Sequence, residues 1–285
     1  MEMFELRYFL AIAAEENIHR ASAKTGFSPA SLSKAVARLE DELGVRLFAR
    51  EGKTIRLNAF GKLLQTRASE IVHLEESTKL ALSGEKGFVH AVVAGPEVLL
   101  ARFGIELCAR VKKRHPLSSV EYKPCEEKEA IKAVKSGQAH FALLTKDEVP
   151  GLSLKNLQNC IFQTCVGKKH PLYAHKGGTL PVETVLEHGF ASPNHPLLGS
   201  VSAHQSLDGW RDDKFPRKID YFVSSLKVLE ELVVQGLAVA YLPDYVVKTL
   251  DVAPLKISGC PYSCKQTVSL ATRSKQEIGW LRQVL

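Results

Sequence analysis

The sequence predicts an N-terminal all-α, winged helix-turn-helix head, a long linker helix, and then an α/β domain of two lobes. Three observations predict it. Two helical segments meet at a glycine turn between residues 17 and 40. The stretch Asn58–Ser83 contains no glycine or proline after Gly61. Beyond residue 87, short apolar runs alternate with helical segments, the pattern of a sheet with helical crossovers.

In the head, Phe4–Glu15 is a helix with Leu6, Phe9, Leu10 and Ala13 on one face. Asn17 caps a second helix, Ile18–Lys24, which Gly26 ends. Ser28 caps the third and Pro29 occupies its first position, where a missing N–H costs nothing. Leu32, Val36, Leu39 and Leu43 follow at steps of four, three and four, so they stack on one face. Ser31, Lys34 and Arg38 fall away from that stripe, a polar and cationic surface suited to the DNA major groove. So tight a glycine turn between two helices is the helix-turn-helix pattern. After Gly44, Val45–Phe48 and Thr54–Leu57 read as strands of a wing around Arg50-Glu51-Gly52-Lys53. Residues 18–67 hold ten Lys/Arg against four Asp/Glu, a surplus that supports phosphate contact. The expected DNA contacts are therefore Ser28, Pro29, Ser31, Ser33, Lys34 and Arg38, with Arg50, Lys53 and Arg56 on the wing side.

The order of residues here resembles the LysR-type transcriptional regulators. The resemblance rests on Leu6-Arg7-Tyr8-Phe9, Leu32-Ser33-Lys34, Arg38-Leu39-Glu40 and Leu43-Gly44-Val45-Arg46-Leu47-Phe48-Ala49-Arg50. It is dense over residues 1 to about 82 and departs at Pro29-Ala30, where the family commonly has Gln then Pro. Asn58 stands where the helix after the wing commonly opens with Thr. The resemblance implies operator DNA as partner, an interrupted dyad as the site, dimers that associate into tetramers, and contact with RNA polymerase. Heptad spacing along Asn58–Ser83 supports the dimer independently, with Phe60, Leu64, Ile71 and Leu74 as the apolar seam.

The 285 residues suffice for two or more domains. Apolar content of 45% and charged content of 24% are ordinary for a globular protein. A net charge of +7 invites an anionic partner without identifying one. Met1–Glu5 is acidic and lacks a signal-peptide profile, and no apolar run approaches the ~20 residues that span a bilayer. A cytoplasmic protein is expected, with no membrane partner.

The expected domains are a head at 1–58, a linker helix at 59–83, a hinge at 84–87 and an effector domain at 88–285. Lobe I takes about 88–162 and 266–285, and lobe II about 163–265. In lobe I, Val89–Ala94, Val120–Tyr122 and Phe141–Leu144 are strands alternating with helices Glu97–Arg114 and Glu126–Lys135, which implies parallel pairing. Ile161–Val166 leads into lobe II. There, Pro181–Glu187 and Ser225–Gln235 are helical, and Phe190-Ala191, Tyr221–Val223 and Leu237–Leu242 are strands. Thr267–Ala271 and a helix from Lys275 return to lobe I. Two α/β lobes joined by crossing strands suggest a hinged, periplasmic-binding-protein-like domain that closes on a ligand. Lys169-His170-Pro171-Leu172 and Val233–Pro243 also resemble the LysR-type effector domain. His140 stands where that family usually has Asp, and Gly95-Pro96-Glu97 replaces a hydroxyl-bearing segment.

Sites of this kind lie between lobes at strand ends. The candidates are Gly95, Glu97, Thr145, Ser192, Asn194, Ser224 and Ser225, and Ser224 and Ser225 read equally well as helix caps. Glu97 favours a cationic or neutral small-molecule effector over a carboxylate. No cofactor, catalytic residue or metal ligand is expected. P-loop, G-x-S-x-G, H-E-x-x-H and dinucleotide motifs are missing from the sequence, which argues against an enzyme. Two other readings remain open: a redox switch through pairs such as Cys160/Cys165 or Cys260/Cys264, and a metal-dependent enzyme or solute-binding module using His188, His195 and His204.

Overall fold

A computed structural model describes residues 1–51, 54–83, 88–199, 206–273 and Leu281. The head contains α1 (Met3–Glu15), α2 (Ile18–Thr25) and α3 (Pro29–Leu43), followed by the hairpin β1 (Phe48–Glu51) and β2 (Thr54–Leu57). The local signals account for its boundaries. The Asn17 side chain accepts from Arg20 N at 3.0 Å, and Ser28 Oγ accepts from Ser31 N at 3.1 Å. Gly26 and Gly44 end their helices in the left-handed conformation, with φ of +76° and +69°. Leu6, Phe9, Ile12, Leu32 and Leu39 close the core between α1 and α3.

Two expectations need correction. Leu43 is 40% exposed, because α3 ends there and the chain turns away at Gly44. The first wing strand begins at Phe48 rather than Val45. Leu47 N donates to Glu40 Oε1 at 2.7 Å, and Leu47 O accepts from Asn58 N at 3.1 Å, so these groups serve the wing's base instead of a ladder.

The linker helix α4 (Ala59–Ser83) starts at Asn58, whose side chain accepts from Gly61 N at 2.8 Å. Its inner face docks on lobe I. The Ser69 hydroxyl is buried and reaches Ser136 O at 2.7 Å. The His73 ring stands edge-on to His140 at 4.5 Å. Standing in place of the family's usual Asp, His140 uses Nδ1 to accept from Val92 N at 3.0 Å.

Lobe I contains β3 (His90–Gly95), α5 (Glu97–Leu99), α6 (Ile105–Arg114), β4 (Ser119–Pro124), α7 (Glu127–Lys135) and β5 (Phe141–Leu144). A π-helical turn at Leu100–Gly104 interrupts the helix predicted over 97–114, where Gly104 lets the Tyr122 ring pack close. β6 (Ser153–Gly167) crosses to lobe II, which holds β7 (Thr179–Pro181), α8 (Val182–Leu186), β8 (Phe190–Pro193), β9 (Ile219–Val223), α9 (Leu226–Val234), β10 (Ala240–Pro243), α10 (Asp244–Val247), β11 (Val252–Pro254) and β12 (Lys256–Ser258). β13 (Lys265–Thr272) returns. The helix expected from Lys275, and the hinge at 84–87, lie outside the described residues.

One sheet threads both lobes in the order β10-β6-β13-β5-β3-β4, with β11 also on β6. β3 pairs in parallel with β4 and β5, as the alternating pattern implies. β13 runs antiparallel to both β5 and β6, which makes the sheet mixed. β6 is 15 residues long and starts eight residues before its apolar run. The polar segment Asn156–Asn159 is extended because β13 supplies its ladder, so context overrides local preference.

Candidate DNA-binding surface and inter-lobe site

On α3, Ser31, Ser33, Lys34 and Arg38 are exposed on the side opposite the buried Leu32 and Leu39. Ser28 and Ser31 engage each other, their hydroxyl oxygens 2.9 Å apart. Lys34 has no ion pair among the described residues and projects freely. Arg38 differs, because its Nε lies 3.1 Å from Glu5 Oε1 of α1. It ties α3 to α1 while leaving part of its guanidinium exposed. Arg56 is exposed on β2. Arg50 lies on β1, but its side chain and Lys53 fall outside the described residues.

Glu40 is the member of this surface that sequence patterning missed. It is nearly buried, takes Leu47 N on one oxygen and Arg46 Nη1 on the other at 2.7 Å, and so fixes the wing against α3. An acidic residue on the polar-to-apolar border of a helix gives no local hint of so distant a partner.

Along α4, Phe60, Ile71 and Leu74 are 55%, 37% and 52% exposed, and Leu63 joins their row. Leu64 turns inward and packs on the head core beside Ala68 and Val72. The outward stripe is apolar with no covering partner among the described residues.

The inter-lobe candidates divide into groups by lobe and by partner. Gly95 ends β3 with φ +153°, close against Leu143 O. Thr145, at the end of β5, donates from N and Oγ1 to Glu127 Oε1 at 2.6 and 2.5 Å. Gly199, from lobe II, lies against both of these side chains. Glu97 is exposed at the start of α5 and acts across the cleft on Glu230 of α9; burial, the largest cause, raises the Glu230 carboxyl above its ordinary range, Lys227 opposes it, and the like charge of Glu97 adds to it. Asp244, ion-paired with Lys248 at 2.7 Å, and the buried Tyr245 lie on α10 of lobe II, with Tyr245 Oη unpartnered among the described residues and influenced by Glu127. The cleft therefore carries carboxylates from both lobes.

Ser192, Asn194, Ser224 and Ser225 sit on lobe II. The Ser192 hydroxyl is buried and turns to Asp208 Oδ2 at 3.5 Å. Asn194 is exposed and uses its backbone N to bond Val223 O at 2.9 Å. Ser224 O meets His195 Nε2 at 3.0 Å, and Ser225 begins α9 without a side-chain cap bond.

The cysteines have a geometry unsuited to the pairing considered from sequence. Cys160 and Cys165 are both on β6, five residues apart, so they face opposite sides at a separation of roughly 16 Å. A disulfide needs Cα atoms within ~7 Å. Burial also pushes the Cys160 thiol up to about 11 and the Cys165 thiol up to about 12. His188 packs on the His170 ring at 4.9 Å, away from His195 at Ser224, and His204 lies outside the described residues. Among the described residues, no three His, Cys, Asp or Glu side chains are placed to hold a metal ion.

A helix-turn-helix head joined through a long helix to a two-lobed α/β domain defines a class of regulatory proteins, and the comparisons assign the family. Residues 3–62 match the model described as bacterial regulatory helix-turn-helix protein, lysR family, and residues 92–282 match the LysR substrate binding domain. The chain belongs to the LysR family. It is 31% identical over 147 residues to the HTH-type transcriptional regulator BsdA of Bacillus subtilis, an alignment covering 51% of each chain. It is 25% identical over 250 residues to the transcriptional dual regulator GltC of Bacillus subtilis, covering 86% of this chain and 81% of that one. The chain spans about half the length of BsdA and of IlvY from Salmonella typhimurium. In fold it is similar to a full-length point variant of OxyR from Pseudomonas aeruginosa, with a TM-score of 0.66 at 21% identity, covering 96% and 89% of the two chains. It is equally similar to full-length LysG of Corynebacterium glutamicum with bound effector Arg, with a TM-score of 0.66 at 19% identity, covering 100% and 95%.

Among the described residues, no helix is long and apolar enough to cross a membrane.

Proposed function

We propose that the protein is a cytoplasmic, non-enzymatic transcriptional regulator that binds operator DNA as a symmetric oligomer and changes its grip when a small molecule binds between the lobes. The observation that carries the proposal is the α3 surface: exposed hydroxyls and a free Lys34 backed by an apolar face, with Glu40 locking the wing alongside. Ser28, Pro29, Ser31, Ser33, Lys34 and Arg38 then meet the major groove and Arg50, Lys53 and Arg56 the flanking backbone. The exposed row on α4 would pair two chains, presenting two heads to an interrupted dyad. Two edge strands support further association: Tyr122 on β4 and Tyr221 and Phe222 on β9 leave apolar side chains exposed. RNA polymerase contact would follow from this role.

Carboxylates on both walls of the cleft, Glu97 and Glu127 from lobe I with Glu230 from lobe II, favour a cationic or neutral effector. Closure on it would rotate the effector domains and, through α4, change head spacing. Such coupling requires unequal affinity for the two arrangements and is reciprocal. The LysG structure contains bound Arg, an effector of the same charge class.

The test is a gel shift with the DNA upstream of the protein's own gene and of its neighbours. Specific retardation that Lys34→Ala weakens, with a shallower salt dependence, supports the proposal. Equal affinity for these fragments and for unrelated DNA would refute it.

A further inference from the structure

Lobe II contains a cavity of about 660 Å³ outside the space between the lobes. Its floor is one face of the β6–β10 pair. Thr164 and Tyr241 are directly opposite in register, and Phe162 follows two residues away on the same side. Trp210 stands edge-on to Tyr241 with centroids 5.2 Å apart. Its indole is held by a bond from Nε1 to Phe215 O at 2.7 Å and by the buried Arg217 guanidinium 5.1 Å from the ring. Tyr173 and Tyr262 complete the wall.

The lining is mixed, with Gln163, Thr164 and Ser263 among the aromatic rings, and its charges are of one sign. Lys176 and Lys256 line the cavity, whereas no carboxylate among the described residues does. Lys176 lies over the Tyr173 ring at 4.8 Å, and Lys256 makes no ion pair among the described residues. Arg211 stacks on Tyr262 nearby, but Asp213 neutralises it through two bonds at 2.6 and 2.7 Å. Thr164 is 3% exposed and lines the floor. A half-open, aromatic-lined depression of this volume, with two cations at its edge, has the make-up of a small-molecule pocket.

We propose that this cavity is a second ligand site, separate from the inter-lobe cleft, that takes a planar aromatic anion. The ring would lie against Tyr241, Trp210 and Tyr173, edge or face on as aromatic pairs prefer. The anionic group would sit between Lys176 and Lys256, and Thr164 would donate to a ring substituent. The cleft, with carboxylates on both walls, would select the opposite charge, so the two sites would not compete for one ligand.

Isothermal titration calorimetry of the full chain tests this with 2-naphthoate and with 2-naphthylmethylamine, the same ring carrying a cation. The naphthoate should bind at least about tenfold more tightly than the amine. Lys176→Gln together with Lys256→Gln should weaken the naphthoate about tenfold or more, since both ammonium charges at the anion are lost. Thr145→Val, in the cleft, should leave its affinity unchanged. If circular dichroism shows that the lysine variant is misfolded, Ala253→Leu, which narrows the cavity, takes its place and should also weaken binding. The proposal is overturned if naphthoate shows no binding at roughly 10 mM, if the amine binds as well, or if the folded pocket variant keeps full affinity. A loss on Thr145→Val would overturn it too, by placing the ligand in the cleft. None of these outcomes depends on DNA binding, so the regulator reading stands or falls separately.

Discussion

Arg217→Met should destabilise lobe II more than any comparable surface change. The Arg217 side chain is fully buried and bonds Asp208 in bidentate fashion at 2.7 and 3.1 Å. It also bonds Asp212 from Nε and Nη2 at 2.9 Å, and lies 5.1 Å from the Phe190 and Trp210 rings. Met preserves much of the volume and removes every donor. Asp212 is 36% exposed at the side chain, so water compensates much of its loss. Asp208 is 1% exposed and, among the described residues, would retain only Trp210 N at 3.2 Å and the Ser192 hydroxyl at 3.5 Å. A buried carboxylate stripped of its cation costs about 3–5 kcal/mol, most of it here from Asp208. For a unit of this size the midpoint should fall by roughly 6–20 °C. Calorimetry of the full chain would follow the lobe's transition, with hydrogen exchange on residues 206–218 as a local readout. Adding Asp208→Leu to Arg217→Met should recover part of the loss, because it removes the orphaned charge. A loss below about 1 kcal/mol for the single variant, or a double variant no more stable than the single, would refute the reasoning.

Ile71→Asp with Leu74→Asp should convert the proposed dimer to monomers in sedimentation, since two charges would enter an apolar seam; a dimer that survives would place the interface elsewhere. Glu40→Ala should weaken DNA binding at constant salt with little change in sequence preference, because it frees the wing from α3 without touching a base, and an unchanged gel shift would exclude that positioning role. His73 should make the docking of α4 on lobe I acid-sensitive. Burial, then the charges of Arg273 and Arg7, lowers its pKa from the ordinary 6.5 to about 3. The undocked helix therefore binds a proton that the docked one does not as pH falls from 6.5 towards 3, so docking is strongest above 6.5 and weakens below it. Hydrogen exchange in α4 should rise through that window, and less so in His73→Phe; a pH-independent profile would contradict the assignment. Cys160 and Cys165 should resist alkylation in the folded protein at about pH 8, because burial keeps both thiols protonated. A Cys160–Cys165 disulfide detected by mass spectrometry in native protein would sink this.

Local chemistry in the sequence determined much of the head by itself. Asn17, Ser28 and Asn58 each cap the helix they precede, Gly26 and Gly44 each end one, and Pro29 sits where its missing N–H is harmless. Such signals act within one turn of chain, so they survive without knowledge of what lies opposite. The same holds for the parallel order of β3, β4 and β5, because helical crossovers between apolar runs permit few alternatives.

What only the tertiary structure decided depends on partners distant in sequence. β6 begins at Ser153 because β13, more than a hundred residues later, pairs with it. Glu40 faces Leu47 and Arg46 across the wing, and Ser192 turns to Asp208 instead of the cleft. The heptad count puts Leu64 in the exposed seam, yet Leu64 meets the head core while Leu63 faces out, since the helix phase is set by docking. Cys160 and Cys165 look like a pair until strand geometry puts them on opposite faces. The sequence determined which groups were present and how each segment prefers to fold; packing across long separations decided which of those groups meet, because burial and charge pairing act through space and not along the chain.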